Sequence, residues 1–415
     1  MTTLTKIFND ETPLKESDLS SYFQKFCKTE AQLKIGVESE CFPLDPETQL
    51  ALPFSGPKGV EALLKRLTER FGWKEVIERG RTVALQRNGE LVSLEPGGQV
   101  EIATEPLKAL TEIDKQLREF YAELYELEKE GRVKWLHQGF QPYSTLDSIE
   151  WVPKARYDLM KTHFLKTGKL AHDMMKRTAA TQVAVDYLSE ADAFKKARLA
   201  SWISPFVALL AANSPLKEGK VWDWVVPRVL VWQNTDPVRT GIPEMLLKPK
   251  CTFAEYLNHV LDTPMIFIVK NNQWIPSHKT FRQYLREGLG DYHATANDFE
   301  LHLSTLFPEV RIRDYIELRQ ADSLPIPKAV ALAAFWKGLL YSSEALEEGL
   351  KVFLQVSVSE FQNFRLESAE KGFKVPLAGR MAKEYTLELL AIAKDGLIRQ
   401  KENSDYLNPI YPKFS

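Results

Sequence analysis

The sequence predicts an α+β fold in which a mostly antiparallel β-sheet is flanked by helices. Three observations support this prediction. Two early segments have the apolar spacing of amphipathic helices, several short segments alternate apolar and polar residues, and the chain from about residue 325 to residue 415 is mainly helical in pattern. Strands followed by a separate group of helices are typical of the α+β class.

Two amphipathic helices are predicted in the first third of the chain. Their apolar side chains recur at the 3.6-residue spacing that places them on one helical face. Thr111, followed by Asp114, is predicted to cap the start of the second helix, and Gly131 is predicted to follow its last turn. The apolar faces consist of Val60, Leu63, Leu64, Leu67 and Phe71 in the first helix and Ile113, Leu117, Phe120, Leu124 and Leu127 in the second.

Short strands are predicted between and after these helices. The segments with period-two alternation are residues 33–42, 91–103, 181–187 and 314–319. Pro96, Gly97 and Gly98 interrupt the second segment and predict a sharp turn with a strand on each side. The C-terminal helical flank is predicted through residues 328–354 and 380–399.

One domain, residues 1–415, is predicted, because the sequence contains no repeat, low-complexity tract or Gly/Ser linker. No glycine-rich phosphate-binding loop follows a predicted strand, which disfavours a doubly wound nucleotide fold. Any nucleotide is therefore expected to be held through metal ions and side chains.

The composition of the chain disfavours nucleic-acid and membrane partners. The 415 residues include 54 Lys and Arg against 56 Asp and Glu, a formal net charge of −2. This balance disfavours nucleic-acid binding driven by a basic excess, and no apolar run approaches the roughly 20 residues that cross a bilayer. We therefore expect neither a nucleic-acid nor a membrane partner. Three widely spaced cysteines and an N-terminal segment without a secretory pattern predict a cytoplasmic protein.

Two glutamates are predicted to share one face of the first strand. Glu38 and Glu40 are two residues apart, so both carboxylates project to the same side, while Val37 and Cys41 face the core. Such carboxylates repel each other unless a cation lies between them, and divalent cations prefer oxygen ligands. The alternative is a half-exposed strand with two solvated glutamates.

Two further glutamates flank the predicted turn. Glu95 precedes Pro96, and Glu101 follows Gly98 by three residues. Four glutamates from two such strand segments would form a magnesium-type site if the segments meet in the fold. The alternative is a tight hairpin with polar edges.

Later strands add amide, carboxylate and guanidinium groups. Gln182 and Asp186 alternate with apolar residues, and Glu317 shares a strand face with Arg319. A guanidinium matches phosphoryl oxygens bidentately, so this pair fits a metal ligand beside a phosphate-binding group. The alternative is a salt bridge between neighbours, which on a surface is worth about 0–1 kcal/mol.

Three more arginines are candidates for binding a substrate. Arg156 is followed by Tyr157, and Arg239 lies in the polar loop 235–241, which could hold a ligand or simply connect two elements. Arg228 precedes the apolar run 229–232, which is predicted to be a buried strand. Its guanidinium must then be paired or line a cavity, because an unpaired buried charge is very costly.

Taken in order, these segments resemble the plant-type glutamate–cysteine ligase family, a branch of the glutamine-synthetase-like carboxylate–amine ligases. The ordered series covers about three quarters of the chain, although each motif is weak alone. It includes Gly36-Val37-Glu38, Leu94-Glu95-Pro96-Gly97-Gly98-Gln99, Gly139-Phe140-Gln141-Pro142, Lys154-Ala155-Arg156-Tyr157-Asp158, Ala212-Asn213-Ser214-Pro215, Thr235-Asp236-Pro237-Val238-Arg239-Thr240-Gly241 and Glu317-Leu318-Arg319.

The resemblance implies a single catalytic domain with an antiparallel sheet cradle of glutamine-synthetase-like type, ATP as co-substrate and two or three Mg²⁺ ions. Beside Glu317, Arg319 would meet the transferred phosphoryl group. Arg156, Tyr157, Arg228 and Arg239 would bind substrates, with Arg156 and Arg228 holding a carboxylate. The implied metal ligands are Glu38, Glu40, Glu95, Glu101, Gln182 and Glu317.

The sequence departs from the family pattern in three segments. Ala184 replaces an Asn near the metal ligands, and Ile266 replaces a Tyr that contributes to the acceptor pocket. Loss of a phenol can change discrimination by about 1–3 kcal/mol. The third departure follows Arg319, where the family favours Gly-Ala-Asp-Gly-Gly and this sequence has Gln320-Ala321-Asp322-Ser323-Leu324.

The resemblance therefore predicts a ligase that activates the γ-carboxylate of L-glutamate with ATP and joins it to an amine. L-cysteine is the expected amine, which would make the reaction the first step of glutathione biosynthesis. Two alternatives stay open: the same chemistry with another acceptor, motivated by Ile266 and Ala184, and a catalytically silent nucleotide- or metabolite-binding relative. Small-molecule substrates are the expected partners, and the expected state is a monomer or homodimer.

Overall fold

A large antiparallel sheet dominates the computed structural model, which describes residues 12–412. Most of the N-terminal segment in which no secretory pattern was recognised lies outside the described residues. Within residues 12–412, no helix is both long and apolar enough to span a membrane.

The strands are numbered in chain order. They are β1 (Ile35–Leu44), β2 (Lys74–Glu78), β3 (Arg81–Arg87), β4 (Glu90–Leu94), β5 (Val100–Ala103), β6 (Lys134–Leu136), β7 (Ala180–Val185), β8 (Leu216–Lys217), β9 (Lys220–Val221), β10 (Thr240–Gly241), β11 (Phe267–Lys270), β12 (Gln273–Pro276), β13 (Phe307–Pro308), β14 (Val310–Ile312), β15 (Ile316–Asp322), β16 (Pro376–Leu377) and β17 (Arg380–Met381).

The α-helices are numbered in the same way. They are α1 (Glu16–Leu19), α2 (Val60–Phe71), α3 (Leu110–Lys129), α4 (Ala155–Phe164), α5 (Ala171–Arg177), α6 (Glu190–Leu210), α7 (Pro227–Gln233), α8 (Phe253–Asp262), α9 (Phe281–Glu287), α10 (Ala296–Leu303), α11 (Ile326–Leu340), α12 (Ser343–Lys351), α13 (Val358–Lys371) and α14 (Ala382–Arg399).

The main sheet has nine strands and only antiparallel neighbours. Its order is β14-β15-β7-β1-β5-β4-β3-β2, and β6 pairs with the end of β1. Strand β1 therefore lies centrally, between β5 and β7. The predicted α+β class and antiparallel cradle are confirmed, whereas the assignment of residues 1–415 to one catalytic domain stays a prediction.

The register places the acidic residues on one side of the sheet, which we call the polar face. Residues directly opposite each other on antiparallel strands project to the same side. Glu38 lies opposite Gln182, and Glu40 lies opposite Glu101. Glu317 joins them through its register partner Ala184 on β7. Strand pairing thus gathers groups that are far apart in the sequence.

The opposite side of the sheet is apolar and packs against helices. Val37 and Cys41 on β1 and Val183 on β7 are buried there. The Tyr121 hydroxyl of α3 lies 2.8 Å from the Ser39 hydroxyl of β1, and α11 packs against both β1 and β7. This apolar layer fixes the strands that carry the polar face.

Two local predictions are wrong. The start of α3 is not capped by Thr111: the helix begins at Leu110, and Glu112 accepts a hydrogen bond from the amide of Ala109 at 2.9 Å. Residues 229–232 are not a strand but part of α7, because Pro227 occupies the first helical turn, where its missing N–H costs nothing.

Helices α11 and α14 cross at two glycines. A Cβ atom on Gly338 would lie 2.2 Å from the carbonyl oxygen of Ala393, and one on Gly396 would lie 2.0 Å from that of Gly338. The two backbones therefore approach more closely than any side chain would permit.

Replacing Gly396 with Ala should force these helices apart. We expect Gly396→Ala to lower the free energy of unfolding by about 1–3 kcal/mol, although Ala favours helix over Gly. Urea denaturation measures this change. Lys394→Ala, at an exposed position of α14, is the control and should change stability by less than about 0.5 kcal/mol. Equal stability of the two variants would contradict the close crossing.

Candidate active site

A cavity of about 360 Å³ lies over the polar face. This volume lies within the range of small-molecule sites. Its acidic lining residues are Glu40, Glu78, Glu95 and Glu101. Its basic lining residues are Lys154, Arg156, Arg228, Arg311 and Arg319, and its amide side chains are Gln99 and Gln182.

The acidic side chains on β1 are buried and influence one another. Burial is the main cause that raises the pKa of Glu40 well above its ordinary value, and the charges of Glu95 and Glu101 add to it. Burial also raises the pKa of Glu38, with contributions from Glu101 and Glu317. Because each negative charge disfavours the next, the cluster has a strong electrostatic preference for a cation.

Backbone contacts hold the turn between β4 and β5 that positions Glu95 and Glu101. The Glu95 amide donates to the Gln99 carbonyl at 2.9 Å, and the Gly98 amide donates to the Glu95 carbonyl at 2.9 Å. Gly98 has φ +84°, and a Cβ atom on Gly97 would lie 2.3 Å from the carbonyl oxygen of Lys176. The predicted turn is therefore present, and it is packed tightly against α5.

Glu317 lies between two arginines. Arg311 Nε donates to its Oε2 at 2.5 Å, and Arg319 Nη1 donates to its Oε1 at 3.1 Å. Burial alone would raise the pKa of Glu317, but these guanidinium groups outweigh it and hold the pKa well below its ordinary value. Glu317 is thus an anion that keeps two cations in place at the end of the polar face.

Arg319 has further fixed contacts. Its Nη1 also donates to Gln182 Oε1 at 2.6 Å, and Gln182 Nε2 donates to Glu40 Oε1 at 3.1 Å. The guanidinium carbon lies 5.9 Å from the ring centres of both Trp232 and Phe307. Arg319 is therefore held at the cavity wall by hydrogen bonds and lies there beside two neighbouring aromatic rings.

The start of α4 supplies a second group of polar side chains. Lys154 Nζ and the Tyr157 hydroxyl both donate to the carbonyl oxygen of Leu94, each at 2.7 Å. Arg156 Nη2 donates to the carbonyl oxygen of Ser304 at 2.9 Å. Burial lowers the pKa of Lys154 to about 8, against the opposing effect of Glu95 and Glu101.

Two residues predicted to bind substrate do not line the cavity. Ile266 is buried in the apolar core directly before β11. Arg239 is paired with Asp236 at 3.0 Å and donates to the carbonyl of Pro264, so its guanidinium is used in fixing the loop it belongs to. Arg239 lies in a polar loop, and Ile266 lies directly before β11. The local sequence at such positions does not show whether a side chain reaches the cavity.

The cavity also contains residues that the sequence reasoning did not single out. Lys154 belongs to the segment that carries Arg156 and so had a local signal, whereas the position of Arg311 opposite Glu317 depends on the register of β14 and β15. Trp274 reaches the cavity from the β11–β12 hairpin. No sequence pattern indicates that placement, because it depends on the packing of the hairpin.

The donor set of the cavity fits a hard divalent cation. Carboxylate and amide oxygens are the ligands that Mg²⁺ prefers. Within residues 12–412, however, no three His, Cys, Asp or Glu side chains are already grouped as a metal site. Glu317 is turned to its arginines, and Glu40 Oε2 accepts from the Ala180 amide at 2.9 Å. These residues therefore fit the ion chemically but would have to adjust their side chains to bind it.

Comparison with known proteins identifies the family. The model of glutamate–cysteine ligase family 2 matches residues 34–409. The chain is 35% identical over 393 residues to the chloroplastic glutamate–cysteine ligase of Brassica juncea, covering 94% of this chain and 76% of that protein. It is 34% identical over 404 residues to the chloroplastic enzyme of Arabidopsis thaliana, covering 96% and 77%. The chain belongs to glutamate–cysteine ligase family 2, as the resemblance predicted.

A solved structure supports the fold. The glutamate–cysteine ligase of Francisella tularensis, determined in complex with AMP, superimposes with a TM-score of 0.52 at 13% identity, covering 91% of this chain and 80% of that one. At this identity the likeness concerns the fold alone, and it agrees with the antiparallel cradle.

The expected cytoplasmic location is wrong on this evidence. The relatives from Brassica juncea, Arabidopsis thaliana and Medicago truncatula are named chloroplastic enzymes. The expectation rested on cysteine usage and on an N-terminal segment without a secretory pattern, and the three cysteines are indeed free. Free thiols indicate a reducing compartment and do not distinguish one such compartment from another.

Removing the charge of Glu317 should destabilise the protein itself. We expect Glu317→Gln to lower the free energy of unfolding by about 3–5 kcal/mol, because Arg311 and Arg319 lose a buried counter-charge. Urea denaturation without substrates measures this change.

Glu367→Gln is the control, since Glu367 pairs with Lys371 on the exposed side of α13. It should change the unfolding free energy by less than about 0.5 kcal/mol. If both variants are as stable as the parent protein, Glu317 is not the counter-charge described above.

Proposed function

We propose that this member of glutamate–cysteine ligase family 2 joins the γ-carboxylate of L-glutamate to the amine of L-cysteine at the expense of ATP. The γ-carboxylate attacks the terminal phosphoryl group of ATP, giving γ-glutamyl phosphate and ADP. The amine of cysteine then displaces phosphate and loses a proton, giving γ-glutamylcysteine. The observation that carries this proposal is the single cavity shared by acidic, amide and guanidinium groups from β1, β5, β7 and β15.

The first step brings two anions together, and the acidic face is suited to hold the cations that permit this. We assign Mg²⁺ binding, with two or three ions, to Glu38, Glu40, Glu95, Glu101, Gln182 and Glu317. When bound, the metal would neutralise phosphate oxygens and the departing ADP. The raised pKa of Glu40, caused by burial and by Glu95 and Glu101, supports the assignment, because a nearby divalent charge would relieve this repulsion.

Arg319 is assigned to the transferred phosphoryl group. Its guanidinium lines the cavity and is fixed by Gln182 and Glu317, with the rings of Trp232 and Phe307 next to each other beside it. A cation held in place before the reaction stabilises developing negative charge without the cost of reorganising solvent. Glu317 then has a second role, since it orients Arg319 as well as contributing oxygen ligands.

Arg156 and Arg228 are assigned to substrate carboxylates. Both line the cavity, and both are buried enough that burial lowers their pKa values. Each nevertheless has its guanidinium restrained by a backbone carbonyl, Ser304 for Arg156 and Arg319 for Arg228. Restrained guanidinium groups select planar carboxylates by paired hydrogen bonds. Tyr157 supports this region, because its hydroxyl is committed to Leu94.

The aromatic lining has a chemical purpose in this reaction. Trp232, Trp274 and Phe307 form part of the cavity wall, and Met160 and Met174 also line the cavity. An acyl phosphate is destroyed by water, so an apolar wall favours transfer to the amine over hydrolysis. The same wall strengthens the electrostatic effect of Arg319, because it lowers the local dielectric constant.

The proposed reaction requires both amino acids. ADP release should depend on glutamate and cysteine together, and omission of cysteine should lower it by at least about tenfold, equivalent to 1.4 kcal/mol in barrier. The assay is coupled ADP release, with the product identified by mass.

A panel of amino acids and simple amines in place of cysteine provides the control. Faster turnover with another amine would show that this amine, and not cysteine, is the acceptor. The proposed activation of glutamate by ATP would be unaffected. Absence of turnover with every amine, in protein that still binds ATP, would contradict the enzymatic proposal altogether.

Loss of an assigned metal ligand should appear in the magnesium requirement. Glu101→Gln should raise the Mg²⁺ concentration for half-maximal activity by at least about tenfold, because a neutral amide binds Mg²⁺ more weakly than a carboxylate. Activity measured over a Mg²⁺ series at saturating ATP and glutamate tests this.

Glu105→Gln is the matched control, since Glu105 lies just beyond β5 and is exposed. Its Mg²⁺ dependence should equal that of the parent protein. An unchanged Mg²⁺ dependence in Glu101→Gln would remove Glu101 from the proposed ligand set.

A further inference from the structure

Asp322 is a fully buried carboxylate at the end of β15, outside the group of residues assigned so far. Its Oδ2 accepts hydrogen bonds from the Asn213 amide at 2.8 Å and from the Ser214 hydroxyl at 2.7 Å. Its Oδ1 lies 3.1 Å from Arg228 Nε. One oxygen is thus held by the segment after α6, and the other faces a guanidinium of the cavity.

Gly139 leaves the space that the carboxyl group of Asp322 occupies. A Cβ atom on Gly139 would lie 2.1 Å from Asp322 Cγ, so any larger residue there would displace the carboxyl group. The Gly139 backbone is fixed on both sides, because its amide donates to the Asn213 carbonyl and its carbonyl accepts from the Ala179 amide, each at 3.1 Å. The position of Asp322 is therefore determined before any ligand binds.

Arg228 connects Asp322 to the cavity wall. Its guanidinium lines the cavity, and its Nη2 donates to the carbonyl oxygen of Arg319 at 3.2 Å. The register of β15 against β7 shifts between Leu318 and Ala321, so Arg319 lies in an irregular segment of the strand. The carbonyl of Arg319, within this irregular segment, accepts a hydrogen bond from the guanidinium of Arg228, and the carboxylate of Asp322, just after the segment, forms an ion pair with the same guanidinium.

Two carboxylates, Asp322 and Glu40, stabilise the charged form of Arg228. Arg228 is 3% exposed, and burial is the main cause that lowers its pKa, while Asp322 and then Glu40 favour its charged form. If Asp322 lost its charge, Glu40 would be the main remaining partner for the guanidinium. Arg228 would then be drawn toward the acidic face and away from an incoming carboxylate.

We propose that Asp322 is a positioning residue for one amino-acid substrate. It fixes the guanidinium of Arg228 at the cavity wall, where Arg228 binds that substrate's carboxylate. This inference rests on the proposed function, since it assigns a role within the same site. A purely structural role for Asp322 predicts a different result, namely a loss of stability without a change in the affinity for any one substrate.

The test compares Asp322→Asn with the parent protein in three KM values, those for glutamate, cysteine and ATP. Asn retains the shape of Asp and can still accept from Asn213, but it removes the charge that faces Arg228. We expect the KM of one amino acid to rise by at least about tenfold, with the KM of ATP unchanged. Arg228→Lys should raise the KM of the same amino acid, and Asp322→Asn should add little in that background.

Asp298→Asn is the matched control. Asp298 is also a buried carboxylate that accepts from an amide and a hydroxyl, both of Thr295, and it pairs with Lys270 at 2.6 Å, but it does not line the cavity. It should lower the melting temperature and leave all three KM values unchanged. If Asp322→Asn behaves in the same way, or if its effect simply adds to that of Arg228→Lys, the inference is wrong.

Two further measurements keep the inference separate from folding and from the proposed function. Gly139→Ala displaces the carboxyl group of Asp322 without changing its charge, so it should also raise the KM of one amino acid selectively. This variant replaces Asp322→Asn in the test if Asp322→Asn does not fold. Calorimetric titration with glutamate and with cysteine reports binding even if the parent protein shows no turnover. Absent turnover would then count against the proposed reaction, whereas unchanged affinities in the folded variants would count against Asp322.

Discussion

The buried negative charge of the polar face is the constraint on which the rest of the site depends. Strand pairing brings Glu38, Glu40 and Glu101 to one side of the sheet, where burial disfavours the ionised forms of Glu38 and Glu40. A fold does not concentrate carboxylates in this way without cations to compensate them. The arginines supply part of that compensation, and the proposed metal ions supply the remainder during the reaction.

The scaffold fixes the cations from several directions. Arg319 is tied to Gln182 and Glu317, Arg156 to a backbone carbonyl, and Arg228 to Asp322. The apolar layer of helices on the opposite side prevents the strands from shifting to relieve the repulsion. In the proposed reaction, the guanidinium groups would need little reorganisation when two anionic substrates enter. The acidic side chains would make the larger adjustment, because they have to turn toward the metal ions.

The sequence indicated those parts of the site that depend on strand alternation. Spacing alone put Glu38 and Glu40 on one face, and the glycines after Pro96 indicated the turn between Glu95 and Glu101. It failed where short apolar runs are ambiguous: residues 229–232 suit a strand or a helix, and Pro227 decided for a helix. The placement of Ile266 in the core and of Trp274 at the cavity depends on long-range packing, which no local pattern contains.

In the proposed reaction, the γ-carboxylate of glutamate attacks ATP directly within one cavity. Glutamate labelled with ¹⁸O in its γ-carboxylate reports this attack, because the attacking oxygen stays on phosphorus when the amine displaces phosphate. We expect each turnover with cysteine to transfer one labelled oxygen to inorganic phosphate, detected by mass or by the isotope shift in phosphorus NMR. Release of unlabelled phosphate during formation of γ-glutamylcysteine would contradict it.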